Sequence, residues 1–164
     1  MRAATGIGLV LAAAVLAGGG AVRVDTLAVM PVKLLDTSQE VRDQRAEHAR
    51  RLATVGAALA ADMKGTGPWA ATVLVAPAAI AAACPRETAA CLIAAARAAG
   101  ADQALFTVVQ KSSTLIMQVF AHVVDVHDNA LVVSRDLNFR GDTDESWTKM
   151  EAFLAHTLAD AAGD

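Results

Sequence analysis

The sequence predicts a single α/β domain, a sandwich whose mixed sheet of about five strands ends in an antiparallel hairpin and is packed by two or three helices. Three observations lead there. Strand-like apolar runs alternate with helix-periodic segments over the first part of the chain, three strand patterns then follow one another, and a last helix-periodic segment closes it. The length of 164 residues, 55% of them hydrophobic and 19% charged, suits one domain and excludes a disordered tail.

Met1 to Ala21 reads as a secretory signal peptide, with Arg2 as its positive start, an apolar centre over 7–17 and small residues for cleavage near Ala21. An uncleaved anchor is the alternative, for which the apolar run is short. A bacterial lipid anchor needs a cysteine at the cleavage point, whereas the two cysteines are Cys84 and Cys91. Residues 22–164 are then one exported domain, periplasmic or secreted, with no membrane span after cleavage.

Thr26 to Leu35 is a continuous apolar run of strand length, in which Pro31 suits an edge or a bulge. Thr37 and Glu40 have capping-box spacing, predicting that a long helix opens there. Val41, Arg45, Ala49, Leu52, Gly56, Leu59, Ala60 and Met63 form its inward stripe, and Arg42, Asp43, Glu47, Arg50 and Arg51 face outward. Residues 65–68 (GTGP) stop it. Trp69 to Ala76 is the second strand, and Pro77 opens an alanine-rich turn or helix that reaches Cys84. The next helix covers 87–99, with Leu92, Ile93 and Ala96 inward and Gly100 as its stop.

Gln103 to Val109 and Leu115 to Val126 are strands, the latter apolar on both faces as suits a central position. In 131–140, Leu131, Val133, Leu137 and Phe139 share one face, while Ser134, Asp136, Asn138 and Arg140 take the other. Turn chemistry at 127–130 joins these two strands into the hairpin. Asp142 and Glu145 have a second capping spacing, and Trp147, Met150, Leu154, Leu158 and Ala161 form the stripe of a final helix.

Two cysteines in an exported chain are most simply a disulfide. In one continuous helix Cys84 and Cys91 would lie roughly 10.5 Å apart along the axis, beyond the ~4.4 to 6.8 Å between Cα atoms that a disulfide spans. The chain must therefore fold back at Cys84, and Pro85 supplies the break. The C-x6-C spacing does not make the small reactive ring of a redox motif.

Net charge of −3, with acids and bases interleaved, argues against nucleic acid and against an anionic membrane surface. No Gly-x-Ser-x-Gly elbow, Ser-x-x-Lys pair or phosphate loop is found, and nothing in the sequence implies a cofactor. The expectation is a protein without catalytic residues.

Residues 27–31 (LAVMP) and 99–106 (AGADQALF), in this order of elements, resemble the N-terminal domain of Tol-Pal protein B and CsgG-like proteins. Val32 and Gln103 stand where those families carry aromatic residues. Residues 140–147 (RGDTDESW), with the paired cysteines, are more similar to an uncharacterised family of exported bacterial proteins. That resemblance implies a mixed α/β sandwich, and an accessory role beside a periplasmic protein partner, one example being quinoprotein alcohol oxidation.

Two places carry candidate chemistry. Asp142, Asp144 and Glu145 offer oxygen ligands for a hard cation, although acids at a helix start also serve its dipole, and Arg140 is placed to pair with one of them. Asp125, His127, Asp128 and Asn129 form the hairpin tip, a candidate partner-binding surface, and His122 precedes it. Imidazole and carboxylate together can ligate a transition metal, but His122 and His127 fall on opposite faces of a regular strand. His48 and His156 read as isolated, solvated histidines. The preferred function is a periplasmic accessory or binding protein; the alternative is a metal-binding protein using the acidic corner.

Overall fold

The computed structural model describes residues 25–163; the signal peptide expected over 1–21 lies outside them. In order come β1 (Asp25–Val29), β2 (Lys33–Asp36), α1 (Arg45–Asp62), β3 (Trp69–Leu74), α2 (Pro77–Ala83), α3 (Ala89–Ala98), β4 (Gln103–Lys111), β5 (Met117–Asp125), β6 (Leu131–Phe139) and α4 (Asp144–Gly163). The α/β class and the C-terminal hairpin hold, with six strands and four helices among the described residues.

The sheet is open, in the order β3-β1-β4-β5-β6, with β2 beside the second half of β4. β1 pairs parallel with β3 and with Gln103–Leu105 of β4, and β2 pairs parallel with Val108–Lys111. The single strand expected over 26–35 is thus two. Pro31 has no amide to donate, so the ladder breaks at 30–32 and the chain resumes pairing farther along the same neighbour. β4, β5 and β6 are antiparallel.

On one face α1 and α4 cover the main core, in which Val55, Leu59, Met63, Trp147, Leu154 and Leu158 pack on Leu105, Val109, Val119 and Val123. On the other face Ile80 of α2 and Ala96 of α3 cover Ala28 and Ala104, a smaller cluster at the β1 side of the sheet. Cys84 and Cys91 form a disulfide with Cα atoms 5.8 Å apart, joining the end of α2 to the start of α3. Thr88 caps α3, so that helix starts two residues later than expected, and Glu87 sits in the loop at φ 45°. Gly100 ends it at φ 82°, a conformation that glycine adopts without a Cβ penalty.

Helix α1 departs most from expectation. It begins at Arg45, not at the capping box, and its cap residue Gln44 makes no side-chain hydrogen bond to the helix start. Val41 is fully exposed, whereas His48, Arg51 and Val55 are buried. A second correction concerns Leu131. An irregularity between Val123 and Val124 pairs Val124 with Leu131 and Val123 with Val133, placing Leu131 on the face opposite the main core, where it is 61% exposed.

Candidate functional site

Odd-numbered residues of β4 face α1 and α4, and the last of them is a lysine. Lys111 is 0% exposed, so its ammonium must find counter-charge inside the protein. Three loops converge on it at the carboxyl end of the parallel pair β2 and β4. From the β6–α4 corner, Asp142 places Oδ2 2.9 Å from Lys111 Nζ. Glu40, after β2, accepts from Lys111 at 3.0 Å and from the Thr114 amide at 2.8 Å, and Gln44 accepts from Lys111 as well. The amide of Asp142 itself donates to Thr114 O at 2.9 Å.

Asp142 is the hub. Its Oδ1 accepts from Arg51 Nη1 at 2.7 Å and from Trp147 Nε1 at 3.0 Å, and its Oδ2 lies 2.7 Å from His48 Nε2. Burial pushes this carboxyl up, but the hydrogen bonds from His48, Lys111 and Trp147 outweigh it and bring the pKa down to about 2. Burial likewise opposes the charge of Lys111, whose hydrogen bonds to Asp142 and Glu40 nevertheless hold its pKa above the ordinary lysine value. The His48 ring stacks on Trp147 with centroids 6.3 Å apart. One turn outward, Asp144 accepts from Arg50 at 2.9 Å and from Arg51 at 2.7 Å.

The acidic residues of 142–145 therefore do not converge on a common point. Asp142 faces inward onto cations, Asp144 lies against two arginines, and Glu145 pairs with Lys149 at 2.6 Å. Thr143, not Asp142, accepts from the Ser146 amide at the helix start. The cations serving the corner are Lys111, Arg50 and Arg51, and Arg140 is exposed. Gly141 turns the chain at φ 88°, with an added Cβ meeting Ser146 Oγ at 3.0 Å. His48, expected in solvent, is buried by this same hub. Ligands in open α/β sheets bind beyond the carboxyl ends of parallel strands; here that place is filled by the protein's own charged side chains. Among the described residues no group of three or more His, Cys, Asp or Glu is arranged to hold a metal ion.

At the hairpin tip Asp125 Oδ1 accepts from the amides of His127 at 2.7 Å and Asp128 at 3.1 Å, a local turn that Asn129 completes at φ 56°. His127 Nε2 lies 3.6 Å from Asp102 Oδ1. His122 is on the open sheet face, paired across β4 and β6 with Phe106 and Ser134, and so is separate from the tip. A groove of about 350 Å³ beside it is lined by Leu92, Ile93, Phe106, Val124 and Leu131. His156 is exposed, 3.3 Å from Asp160.

The sequence leads one to expect an open sheet face beside the hairpin but not which one; it is this face of β2, β4, β5 and β6. Helices α2 and α3 cover its β1 end as far as Phe106 and leave Leu35, Val108 and Leu131 exposed beside half-buried Phe120 and Val124. In the sequence, the run 115–126, apolar on both faces, hinted at a second face.

PelC from Paraburkholderia phytofirmans, solved as a dodecamer, superimposes with a TM-score of 0.54 at 16% identity, over 87% of this chain and 90% of that one. The C-terminal domain of LpoB from Salmonella enterica gives 0.44 at 15% identity over 73% and 85% of the two chains. TolB from Acinetobacter baumannii gives 0.45 at 15% identity over 83% of this chain and 26% of that one. At its identity the likeness to PelC is one of fold. No curated protein matches the sequence. The model of the DUF3280 family, described as "Protein of unknown function (DUF2380)", matches residues 25–158, and the chain belongs to that family.

Proposed function

We propose that this chain is an exported, non-catalytic binding domain that assists a larger periplasmic system through its open sheet face and the adjoining hairpin tip. The observation that carries this reading is the uncovered face of β2, β4, β5 and β6, on which Val108 and Leu131 stand in solvent. Apolar surface of this kind, rimmed by polar residues, marks interaction sites. The charged cluster supports the non-catalytic part of the reading: Asp142 and Lys111 spend their hydrogen bonds on one another and on neighbouring side chains. PelC, with the same fold, is a dodecamer, so assembly is one use to which this architecture is put.

The test is site-specific photo-crosslinking in cells that export the protein. A photoreactive residue at Phe120 or His127 is expected to give discrete protein adducts, and one at Glu47, on the outer side of α1, none. A quinoprotein alcohol dehydrogenase is the first client to look for. Absence of adducts at both positions, or equal adducts at all three, overturns the reading.

A further inference from the structure

Among the strands that border the sheet, β3 has six residues and β2 four, whereas β6 runs for nine without a proline. A long unguarded edge is a template for another strand, and short edges and prolines are the usual guards. The backbone groups of β6 can be sorted by side. Lys111 O accepts from the Thr37 amide, away from β5, so Lys111 and its partner Met117 are not bonded to each other. Met117 therefore turns its amide and carbonyl to Phe139, and by alternation Leu137, Arg135 and Val133 also bond to β5. Ser134, Asp136 and Asn138 turn theirs outward, and Arg140 continues the series. The Ser134 carbonyl accepts from Arg135 Nη1, which leaves 136, 138 and 140 as the outward set.

Residues 136–140 (DLNFR) read acid, apolar, amide, apolar, base, a pattern complementary to itself when reversed. Among the described residues neither Asp136 nor Arg140 makes an ion pair. We infer that two copies of this chain join through their β6 edges, antiparallel about a two-fold axis that passes between the two Asn138 residues perpendicular to the sheet. It sets Asn138 opposite Asn138, Asp136 opposite Arg140 and, on the α4 side, Leu137 opposite Phe139. Each outward couple exchanges two backbone hydrogen bonds, and directly opposed Cβ atoms lie about 4.5–5.5 Å apart, within reach of carboxylate and guanidinium. Charge selects this register. Centred on Asp136 the pairing would oppose two aspartates, and centred on Leu137 it would leave Asp136 and Arg140 facing uncharged residues.

The edge also has room for a strand. A groove of about 550 Å³ separates it from α4, lined by Asp136, Phe139, Arg140, Lys149, Met150 and Phe153. Lys149 is paired with Glu145, and Phe153 is 56% exposed, so the wall of the groove offers the second copy an apolar surface without a free charge on α4. The result is one continuous sheet with both open faces on the same side. Neither face is covered, so the pairing goes beyond the binding-domain reading and does not depend on it.

Sedimentation equilibrium of the oxidised, exported protein tests this. The wild type is expected to dimerise reversibly. Asp136→Arg and Arg140→Asp, both at exposed positions, should each weaken association about tenfold or more, since each opposes like charges at both ends of the paired strands. The double variant, and an equimolar mixture of the single variants, restore both opposite-charge contacts and should associate within about threefold of the wild type. A monomeric wild type, single variants that dimerise like it, or a double variant and mixture that stay monomeric, overturn the inference. Crosslinks at Phe120 and His127 report on the open face and hairpin tip, not on this edge. Adducts with a different protein from a monomeric chain sink the pairing and leave the binding domain standing, whereas a dimer without adducts does the reverse.

Discussion

The two faces of β4 and β5 are built from alternate residues of the same strands, yet they solve opposite problems. Toward α1 and α4, Leu105, Val109, Val119 and Val123 are fully buried, and the row ends in a buried lysine held by an aspartate of the β6–α4 corner rather than by a residue of its own segment. Toward the other side, Phe106, Val108, Phe120 and Val124 are only partly covered, and the polar residues among them are uncharged amides and a histidine. Charge is thus tolerated inside where it is fully paired, and nearly absent outside where the surface is free to meet another. The difference teaches that polarity alone does not tell interior from interface.

The comparison breaks most sharply at the hub. Asp142→Asn leaves Lys111 and Arg51 buried without their shared carboxylate and should cost about 3–5 kcal/mol in urea unfolding, the usual effect of removing one partner of a buried pair. Lys111→Met should cost less, because Asp142 keeps Arg51, His48 and Trp147. Acid should act in the same direction, by less: the folded pKa of Asp142, about 2, lies below its ordinary 3.8, so its contribution is complete above that value and is lost as pH falls through about 2.

Reduction of Cys84–Cys91 frees a short loop on the α2–α3 side, and a loop-entropy estimate puts the loss at about 2.5 kcal/mol. Equal melting of oxidised and reduced protein would contradict it.

Glu151 sharpens the contrast from within the core face. It is 3% exposed, beside an 80 Å³ cavity between α1 and α4, and burial together with the charge of Asp62 raises its pKa from 4.5 to about 7. Ionising it inside the fold therefore costs stability as pH rises from 4.5 to 7, and the whole penalty is present above that. Glu151→Gln should raise stability at pH 8 by on the order of 2 kcal/mol and leave it unchanged at pH 4, read by thermal melts at both.

The smallest effect belongs to the open face. Val108→Thr should change stability by less than about 0.5 kcal/mol, as surface substitutions do, while the same change at Val109, fully buried, should be several times more costly.

Much of this was legible along the chain. Helical and alternating periodicities located β3 to β6, α3 and α4, because each buries a face whose spacing is written locally. The disulfide was legible for the same reason: seven residues and a proline leave few geometries. The corner at 140–147 was visible as a pattern and as a helix start, and α4 does open there at Asp144; the separate roles of its carboxylates were not legible, since they look alike until the fold sends Asp142 inward and Asp144 and Glu145 outward. His48 and Arg51 were invisible as hub residues: helical spacing says which residues share a face and not what stands opposite.

The sequence by itself determined the α/β class, the order of elements, the antiparallel hairpin and the bridge between the cysteines, all set by near-neighbour periodicity, turn chemistry and chain reach. Only the tertiary structure decided which charges are buried, that Pro31 divides the first strand between two stretches of one neighbour, that a bulge turns Leu131 outward, and which sheet face is left open. These depend on register between segments far apart in sequence, and register is an energy of the whole assembly, not of any one segment.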